Sequence, residues 1–338
     1  MINYMPAGMP PQDYAKYNER RMLRKTSNGL GMFVLVYFLT MLFCSIGIQL
    51  LLSDMSNSSQ NGVLNYFCDI FVSVTSAFIP GLIYLALTKR KVKEIIFTNH
   101  VKFGTLIPLI FTGIAFSMLA NTVSDLMNTN LEMFGLKNTV NFSNEVNSVP
   151  EVLLYAVSTA VVPAFAEEFA FRGILMGSLR KYGDVFAIIV SSVMFGAMHG
   201  NVVQIPFAFM LGLIFGFVDC KTNSLFPSIG IHFLNNFYAV LMDILQNNTN
   251  MDKGTFLGIN YFICVLFCVL GLLSFLYIVK TQKGFFKATN DDIAPYQYTN
   301  YLNLKEKIKT FMFSPAIVVL LVLFISEAIT NLIPLSNT

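Results

Sequence analysis

The sequence predicts an all-α fold: a polytopic membrane bundle of about eight or nine transmembrane helices, with a functional site in an intramembrane cavity. Of the 338 residues, 55% are hydrophobic and 12% are charged, and the mean hydropathy is +0.62. Soluble domains carry about 25% charged residues. Apolar runs of about 20 residues, enough to cross a bilayer, recur along the chain, and basic residues cluster in the connections between them. Together these observations indicate an integral membrane protein.

The apolar runs define the spans in chain order. Residues 1–28 are polar and predict a cytoplasmic tail, which leaves 29–338 as a transmembrane helical domain. The first apolar run is longer than a signal-peptide core, which spans about 7–15 residues, so it predicts an uncleaved first span. The predicted spans lie near 30–52, 63–87, 104–122, 151–180, 184–199, 203–219, 224–246, 255–280 and 311–334.

The distribution of Lys and Arg predicts the orientation of these spans, because basic residues accumulate in cytoplasmic loops. Basic residues precede the first span and recur in the connections around 89–102, 180–181, 221 and 280–309, while the intervening connections carry few. This alternation predicts nine crossings, with the amino terminus in the cytoplasm and the carboxyl terminus outside. The polar stretch 123–150 is then an outer loop, and 281–310 is a cytoplasmic connection.

The composition also bears on partners and location. The net charge of +3 is small and is distributed over the loops, so the sequence predicts no nucleic-acid partner. The five cysteines show no CxxC spacing and are expected to be small packing residues without a redox or metal role. Low charge content with frequent Asn and Lys indicates a multi-pass protein of a bacterial plasma membrane, whose surroundings are the lipid bilayer.

Three formal charges interrupt the span predicted near 151–180: Glu167, Glu168 and Arg172. A charge near a bilayer centre costs about 2.5–3.5 kcal/mol on insertion scales, so it usually faces a bundle interior and marks a functional site. Residues four apart share a helix face, so Glu168 and Arg172 are expected to pair while Glu167 turns about 100° away. Pro163 precedes Glu167 by one turn and predicts a broken backbone hydrogen bond that opens the helix there. Glu167 is then the charge without a structural explanation.

Two histidines add to this polar set inside the membrane. His199 follows Phe195 by four residues, and His232 precedes Asn236 by four, each within or at the end of an apolar run. With a rise of about 1.5 Å per residue, Glu167, His199, His232 and Asn236 lie roughly 12–22 Å from the predicted cytoplasmic ends of their helices, so they can meet near mid-membrane. His232 and Asn236 share a helix face, where side-chain donors suit an oxyanion.

Together the three motifs resemble those of the CPBP family, the CAAX proteases and bacteriocin-processing enzymes also called the Abi family. That family's pattern is Glu-Glu-x-x-x-Arg, then Phe-x-x-x-His, then His-x-x-x-Asn with a small residue as an alternative to the Asn. In this sequence it stands as Glu167-Glu168-Phe-Ala-Phe-Arg172, Phe195-Gly-Ala-Met-His199 and His232-Phe-Leu-Asn-Asn236. The resemblance covers about residues 150–246.

The resemblance implies an intramembrane endopeptidase that hydrolyses a peptide bond in a membrane-associated peptide or a membrane-anchored protein precursor. In such an enzyme Glu167 would activate water with the help of His199, and His232 and Asn236 would hold the oxyanion. Non-catalytic membrane partners also belong to the broader family, where they serve in bacteriocin self-immunity or as scaffolds of cell-wall enzymes. That role is the alternative prediction.

The resemblance assigns Glu168 and Arg172 to organising the site and places Phe195 one turn before His199. It leaves the question of a metal open. The metal-free mechanism is favoured, because Asn236 beside His232 suits an oxyanion hole better than a metal coordination shell. A catalytic zinc with three protein ligands is the other reading, and its ligands would be Glu167, His199 and His232.

A transporter would also place Glu, His and Arg near the membrane midplane. Many transporters are built from internal repeats, and no repeat is visible in this sequence. The endopeptidase is therefore the favoured function class.

Overall fold

The computed structural model describes residues 10–53, 61–138, 146–247, 249, 251–286 and 301–335, and in these ranges the chain is almost entirely helical. The helices are α1 (Pro11–Ser53), α2 (Asn61–Thr88), α3 (Phe103–Met133), α4 (Val149–Tyr182), α5 (Asp184–Ala197), α6 (Gln204–Thr222), α7 (Phe226–Asn247), α8 (Lys253–Thr281), α9 (Leu304–Met312) and α10 (Pro315–Thr330). Two short strands, β1 (Leu136–Asn138) and β2 (Leu332–Pro334), complete the described elements. The predicted all-α membrane fold is confirmed.

Among the described helices, seven are long and apolar enough to cross a membrane, and the count is eight when the pair α9–α10 is taken as one span. The pair bends by 71° at Pro315, whose missing N–H makes it a natural first residue of a helix. The predicted span 184–199 is the exception, because α5 has only 14 residues, about 21 Å at the usual rise. The predicted nine crossings therefore exceed the eight spans that are counted when α9–α10 is taken as one, and the seven that are counted otherwise.

The amino-terminal region differs from the predicted tail. Residues 11–28 continue without interruption into α1, and they pack against α9. The buried carboxylate of Glu19 accepts hydrogen bonds from the backbone N–H groups of residues 301 and 302, both at 2.8 Å. Lys307 lies 3.6 Å from Glu19 and donates to the carbonyl of Tyr182 at the end of α4, at 2.7 Å. We name the side chains of Glu19 and Lys307, together with these contacts, the Glu19 clamp.

The connections also differ from the predicted loops. α3 continues to Met133, so much of the predicted outer loop 123–150 is helical, and its residues 139–145 lie outside the described ranges. The same holds for residues 287–300 of the predicted connection 281–310, and α9 begins at Leu304. In α3 and α9, helical residues therefore lie outside the apolar core of the spans, where hydropathy does not predict a helix.

Contacts between loops sort the helix ends into two groups. Thr98, before α3, forms a backbone bridge with Ser224, between α6 and α7. At the opposite end of α3, β1 pairs antiparallel with β2 in the register Lys137 opposite Ile333. The alternation of basic loops predicted the same two groups of ends. Which group faces the cytoplasm stays a prediction.

Glycines let backbones approach closely where helices cross. A Cβ on Gly271 of α8 would lie 2.2 Å from the Cβ of Ala115 on α3, as expected of small residues at membrane helix interfaces. A Cβ on Gly177 of α4 would lie 2.1 Å from the carbonyl oxygen of Ile95 in the α2–α3 connection. The second contact is with backbone, which has little freedom to move.

We therefore expect Gly177→Ala to lower the free energy of unfolding by about 1–3 kcal/mol, the usual cost of overpacking. Gly258→Ala is the matched control, since a Cβ there meets nothing within 4 Å. Relative to Gly, Ala in a helix interior stabilises by roughly 0.5–1 kcal/mol. Thermal unfolding in nanodiscs measures both variants, and equal melting temperatures for the two would contradict the close contact.

Candidate active site

The motif helix α4 is interrupted twice by π-helical turns, at Val157–Val161 and at Glu168–Met176. Such turns, with hydrogen bonds from i to i+5, are rare and occur frequently at functional sites. Pro163 follows the first turn and has no N–H to offer the carbonyl four residues earlier. That carbonyl belongs to Thr159, and it accepts a hydrogen bond from the side-chain amide of Asn236 at 3.1 Å.

Asn236 is thus held by α4 as well as by its own helix. Its oxygen accepts from the amide of Asn235 at 3.0 Å, and the oxygen of Asn235 in turn accepts from the hydroxyl of Ser117 on α3. An amide group carries two N–H donors, of which the bond to Thr159 uses one. The second donor leaves Asn236 able to bind an oxyanion.

The structure corrects the predicted separation of the two glutamates. Glu168 Oε1 lies 2.9 Å from His232 Nδ1, and Glu167 Oε2 lies 3.9 Å from His232 Nε2, so both carboxylates face one imidazole. Glu167 is the last α-helical residue before the second π turn. The wider π turn contains more residues than an α turn, so neighbouring side chains diverge by less than the α-helical angle. The His232 ring therefore lies between the carboxylates of Glu167 and Glu168.

Arg172 forms the predicted pair with Glu168, with 3.3 Å between Nε and Oε2, and both side chains are fully buried. Its guanidinium lies between two aromatic rings, 4.1 Å from the centroid of Phe195 and 5.0 Å from that of Phe215. Cation–π contacts of this kind stabilise a desolvated cation. Phe215 was not singled out from the sequence, because a Phe in an apolar span carries no signal of its own.

His199 is anchored by its own helix turn. Its Nδ1 lies 2.8 Å from the carbonyl oxygen of Phe195, and since a carbonyl only accepts, Nδ1 carries the proton. Nε2 is therefore the nitrogen free to act on a substrate or water. The rings of Phe195 and His199 meet edge to face at 5.0 Å.

The buried polar cluster has unused hydrogen-bonding capacity. Among the described atoms, Glu167 Oε2, Glu168 Oε2 and the three guanidinium nitrogens of Arg172 have no hydrogen-bond partner. Buried water typically binds to such groups. Glu167 is also the more accessible of the two glutamates, with 21% of its side chain exposed against 0% for Glu168. It can therefore accept a proton from a water molecule that enters the site.

The side chains of this cluster are poorly arranged to hold a zinc ion. Within the described ranges, no group of three or more His, Cys, Asp or Glu side chains is arranged to hold a metal. His232 also uses Nδ1 for Glu168, which leaves one nitrogen as a ligand. Glu167, His199 and His232, the ligands in the alternative zinc reading, do not form such a group among the described residues.

Asp219 on α6 is a member of the cluster that the sequence analysis missed. It is 2% exposed, and both of its oxygens accept hydrogen bonds from Ser228. The signal was present, since Asp219 is an ionisable residue inside a predicted span, the same criterion that identified Glu167. Its place at the end of that span made it resemble a loop residue.

A cavity of about 470 Å³ lies elsewhere in the bundle, lined by side chains of α3, α5, α6 and α8 together with Phe286. Its lining is almost entirely apolar and includes none of the motif residues. The motif residues instead form a closely packed cluster among α4, α5, α6 and α7. The predicted intramembrane cavity around the site is therefore not this one.

The segment that builds this cluster is similar to known proteins. Residues 149–238 match the family described as Type II CAAX prenyl endopeptidase Rce1-like. The resemblance inferred from the three motifs is confirmed by this match, which spans α4, α5, α6 and most of α7. At the level of that family, the match supports a membrane endopeptidase.

Two bacterial proteins are similar to the chain over part of its length. The protein named Putative membrane peptidase YdiL of Bacillus subtilis (strain 168) is 31% identical over 109 residues, which cover 32% of this chain and 43% of that protein. Membrane-embedded CAAX protease MroQ of Staphylococcus aureus (strain USA300) is 26% identical over 157 residues, covering 44% of this chain and 63% of that protein. No solved structure matches this chain.

Proposed function

We propose that the chain is an intramembrane endopeptidase that hydrolyses a peptide bond in a membrane-associated peptide or a membrane-anchored protein precursor. The observation that carries the proposal is the convergence of Glu167 and Glu168 on His232, inside a segment that matches an endopeptidase family. In this proposal the enzyme lies in a bacterial plasma membrane with its amino terminus in the cytoplasm.

Glu167 is the general base of the proposed reaction. Its Oε2, which has no hydrogen-bond partner among the described atoms, takes a proton from water while the water oxygen attacks the scissile carbonyl carbon. His199 orients that water by accepting a hydrogen bond at Nε2. When the tetrahedral intermediate collapses, the C–N bond breaks and Glu167 returns the proton to the leaving nitrogen. Water is thus added across the peptide bond, and the base is regenerated.

The oxyanion of the intermediate is bound by His232 and Asn236. A doubly protonated imidazole has a donor on each nitrogen, so His232 can bond to Glu168 through Nδ1 and to the oxyanion through Nε2. Asn236 supplies the N–H that Thr159 does not use. Preorganised donors of this kind are typically the largest contribution to such catalysis.

The experiment uses the purified full-length chain in nanodiscs and a pooled library of internally quenched peptides, one half soluble and the other half carrying an acyl anchor. Cleavage is followed by fluorescence, and the products are identified by mass spectrometry. We expect cleavage by the wild-type chain and none by His199→Ala, which should insert and accumulate normally. Undiminished cleavage by that variant would contradict the proposed chemistry. Full biological activity in a cleavage-deficient strain would support the non-catalytic alternative.

Asn236→Ala is expected to lower kcat by about 10²–10³-fold, the usual effect of removing one oxyanion donor. Asn247→Ala is the matched control, because Asn247 lies on the same helix and its amide donates to Asp243 at 2.6 Å, outside the motif cluster. The control should cleave at the wild-type rate. Equal rates for the two variants would remove Asn236 from the oxyanion site.

A further inference from the structure

Asp219 has no role in the reaction as described, yet it is buried and its carboxylate is fully engaged. Its Oδ1 accepts from the backbone N–H of Ser228 at 3.2 Å, and its Oδ2 accepts from the Ser228 hydroxyl at 2.6 Å. Its backbone carbonyl accepts from the N–H groups of Asn223 and Ser224. Asp219 therefore accepts hydrogen bonds from both sides of the turn between α6 and α7.

Ser228, the hydrogen-bond partner of Asp219, and Phe215, one turn before Asp219, both lie next to His232 in the fold. Ser228 is in the first turn of α7, four residues before His232, so the two share a helix face. Phe215 is four residues before Asp219 on α6, and its ring stacks on the His232 ring at 5.4 Å and 26°. α6 and α7 thus meet at two successive turns, once through the rings and once through Asp219 and Ser228. The second contact fixes the position of α7 along α6.

Asp219 also interacts with charged side chains of α4, the helix that carries the carboxylates facing His232. Its carboxylate interacts electrostatically with Arg172 and Glu168 on α4. The guanidinium of Arg172 covers the same Phe215 ring, at 5.0 Å. Asp219 is therefore linked to the His232 site both through Ser228 on α7 and through the charges of Arg172 and Glu168 on α4.

We propose that Asp219 is a positioning residue that holds His232 between Glu167 and Glu168, acting through Ser228 and the first turn of α7. The effect on catalysis rests on the proposed function, while the effect on the His232 ring does not. Without the Asp219 carboxylate, α7 loses its fixed position on α6. The contacts of 2.9 Å to Glu168 and 3.9 Å to Glu167 are then no longer enforced.

The kinetic test compares Asp219→Ala with Asp219→Asn, which keeps one oxygen acceptor for Ser228. We expect Asp219→Ala to lower kcat by about 10²-fold, the effect of misplacing a reacting group by about 1 Å, with KM unchanged. Asp219→Asn should recover at least about tenfold of that loss, since one acceptor remains. A kcat at the wild-type level in Asp219→Ala, or equal losses in the two variants, would overturn the proposal.

Asp243→Ala is the matched control. Asp243 lies near the other end of α7 and also accepts from a hydroxyl, that of Tyr155 at 2.8 Å. A general weakening of α7 would lower kcat in this variant too, and that result would overturn a specific role for Asp219. If Asp219→Ala does not accumulate, Ser228→Ala carries the same comparison, with Ser228→Thr as the variant that restores the hydroxyl.

A second readout is independent of cleavage. Nitrogen-15 NMR of the His imidazoles in the full-length chain reports the Nδ1 bond of His232 to Glu168, with signals assigned through His232→Gln. We expect the His232 signals to shift or split in Asp219→Ala while those of His100 stay unchanged. Unaltered His232 signals in the folded variant would overturn the proposal. A shifted His232 in a chain that cleaves none of the probes would sustain it and count against the endopeptidase.

Discussion

Replacing Glu167 by Gln is expected to lower the rate of cleavage by about 10²–10⁴-fold, the contribution of a positioned general base. Gln has the shape of Glu but cannot take a proton from water. Its amide can still lie near Nε2 of His232, which Glu167 approaches to 3.9 Å, so the fold and KM should be unaffected. The measurement is kcat and KM on a cleaved library peptide in nanodiscs.

Glu151→Gln is the control for this prediction. Glu151 is on the same helix as Glu167, in its first turn, and its carboxylate accepts from the backbone N–H of Asn147 at 2.8 Å. It takes no part in the buried cluster, so kcat should remain at the wild-type value. Wild-type kcat in Glu167→Gln, with equal amounts of folded protein, would exclude Glu167 as the base.

Arg172→Met is expected to reduce stability more than any other substitution considered for this chain. It leaves the fully buried Glu168 carboxylate without its cation, and breaking a buried ion pair from one side costs about 3–5 kcal/mol. Met has a similar length and keeps the apolar contact with Phe195 and Phe215. The free energy of unfolding in mixed micelles, titrated with a denaturing detergent, measures the loss.

A control variant and a double variant test the cause of this loss of stability. Arg20→Met removes a partly exposed pair with Glu306, 3.6 Å apart, and should cost at most about 1 kcal/mol. The double variant Glu168→Gln, Arg172→Met removes both buried charges and should recover part of the loss, because the penalty comes from the uncompensated carboxylate. If Arg172→Met were no less stable than Arg20→Met, the buried pair would not be a structural element of the site.

The sequence was sufficient for features that depend on local spacing. The i, i+4 pair of Glu168 and Arg172 and the break at Pro163 follow from helix geometry, and the structure shows both. The span limits also agree where hydropathy changes sharply. Where helices extend past the apolar core, as α1 and α3 do, the amphipathic or polar residues are held by tertiary contacts, and hydropathy does not report those.

The arrangement of the cluster depended on long-range packing that spacing does not encode. His232 lies between both glutamates because α7 crosses α4 at a π turn, and a single sequence does not predict where such a turn forms. Asn236 was predicted to hold the oxyanion, and its bond to the carbonyl of Thr159 was not foreseen. The contact of Asp219 with Ser228, which lies across a turn on the next helix, is likewise not encoded in the spacing.

The Glu19 clamp has a mechanical consequence. α1 contains 43 residues, about 65 Å at the usual rise, whereas a bilayer with its headgroups is about 40–45 Å thick. A stiff rod therefore projects from the membrane at the end where Lys307 joins Glu19 to the carbonyl of Tyr182. Tyr182 ends the helix that carries Glu167. We therefore expect a tilt of the projecting end of α1 to be transmitted through the Glu19 clamp to α4.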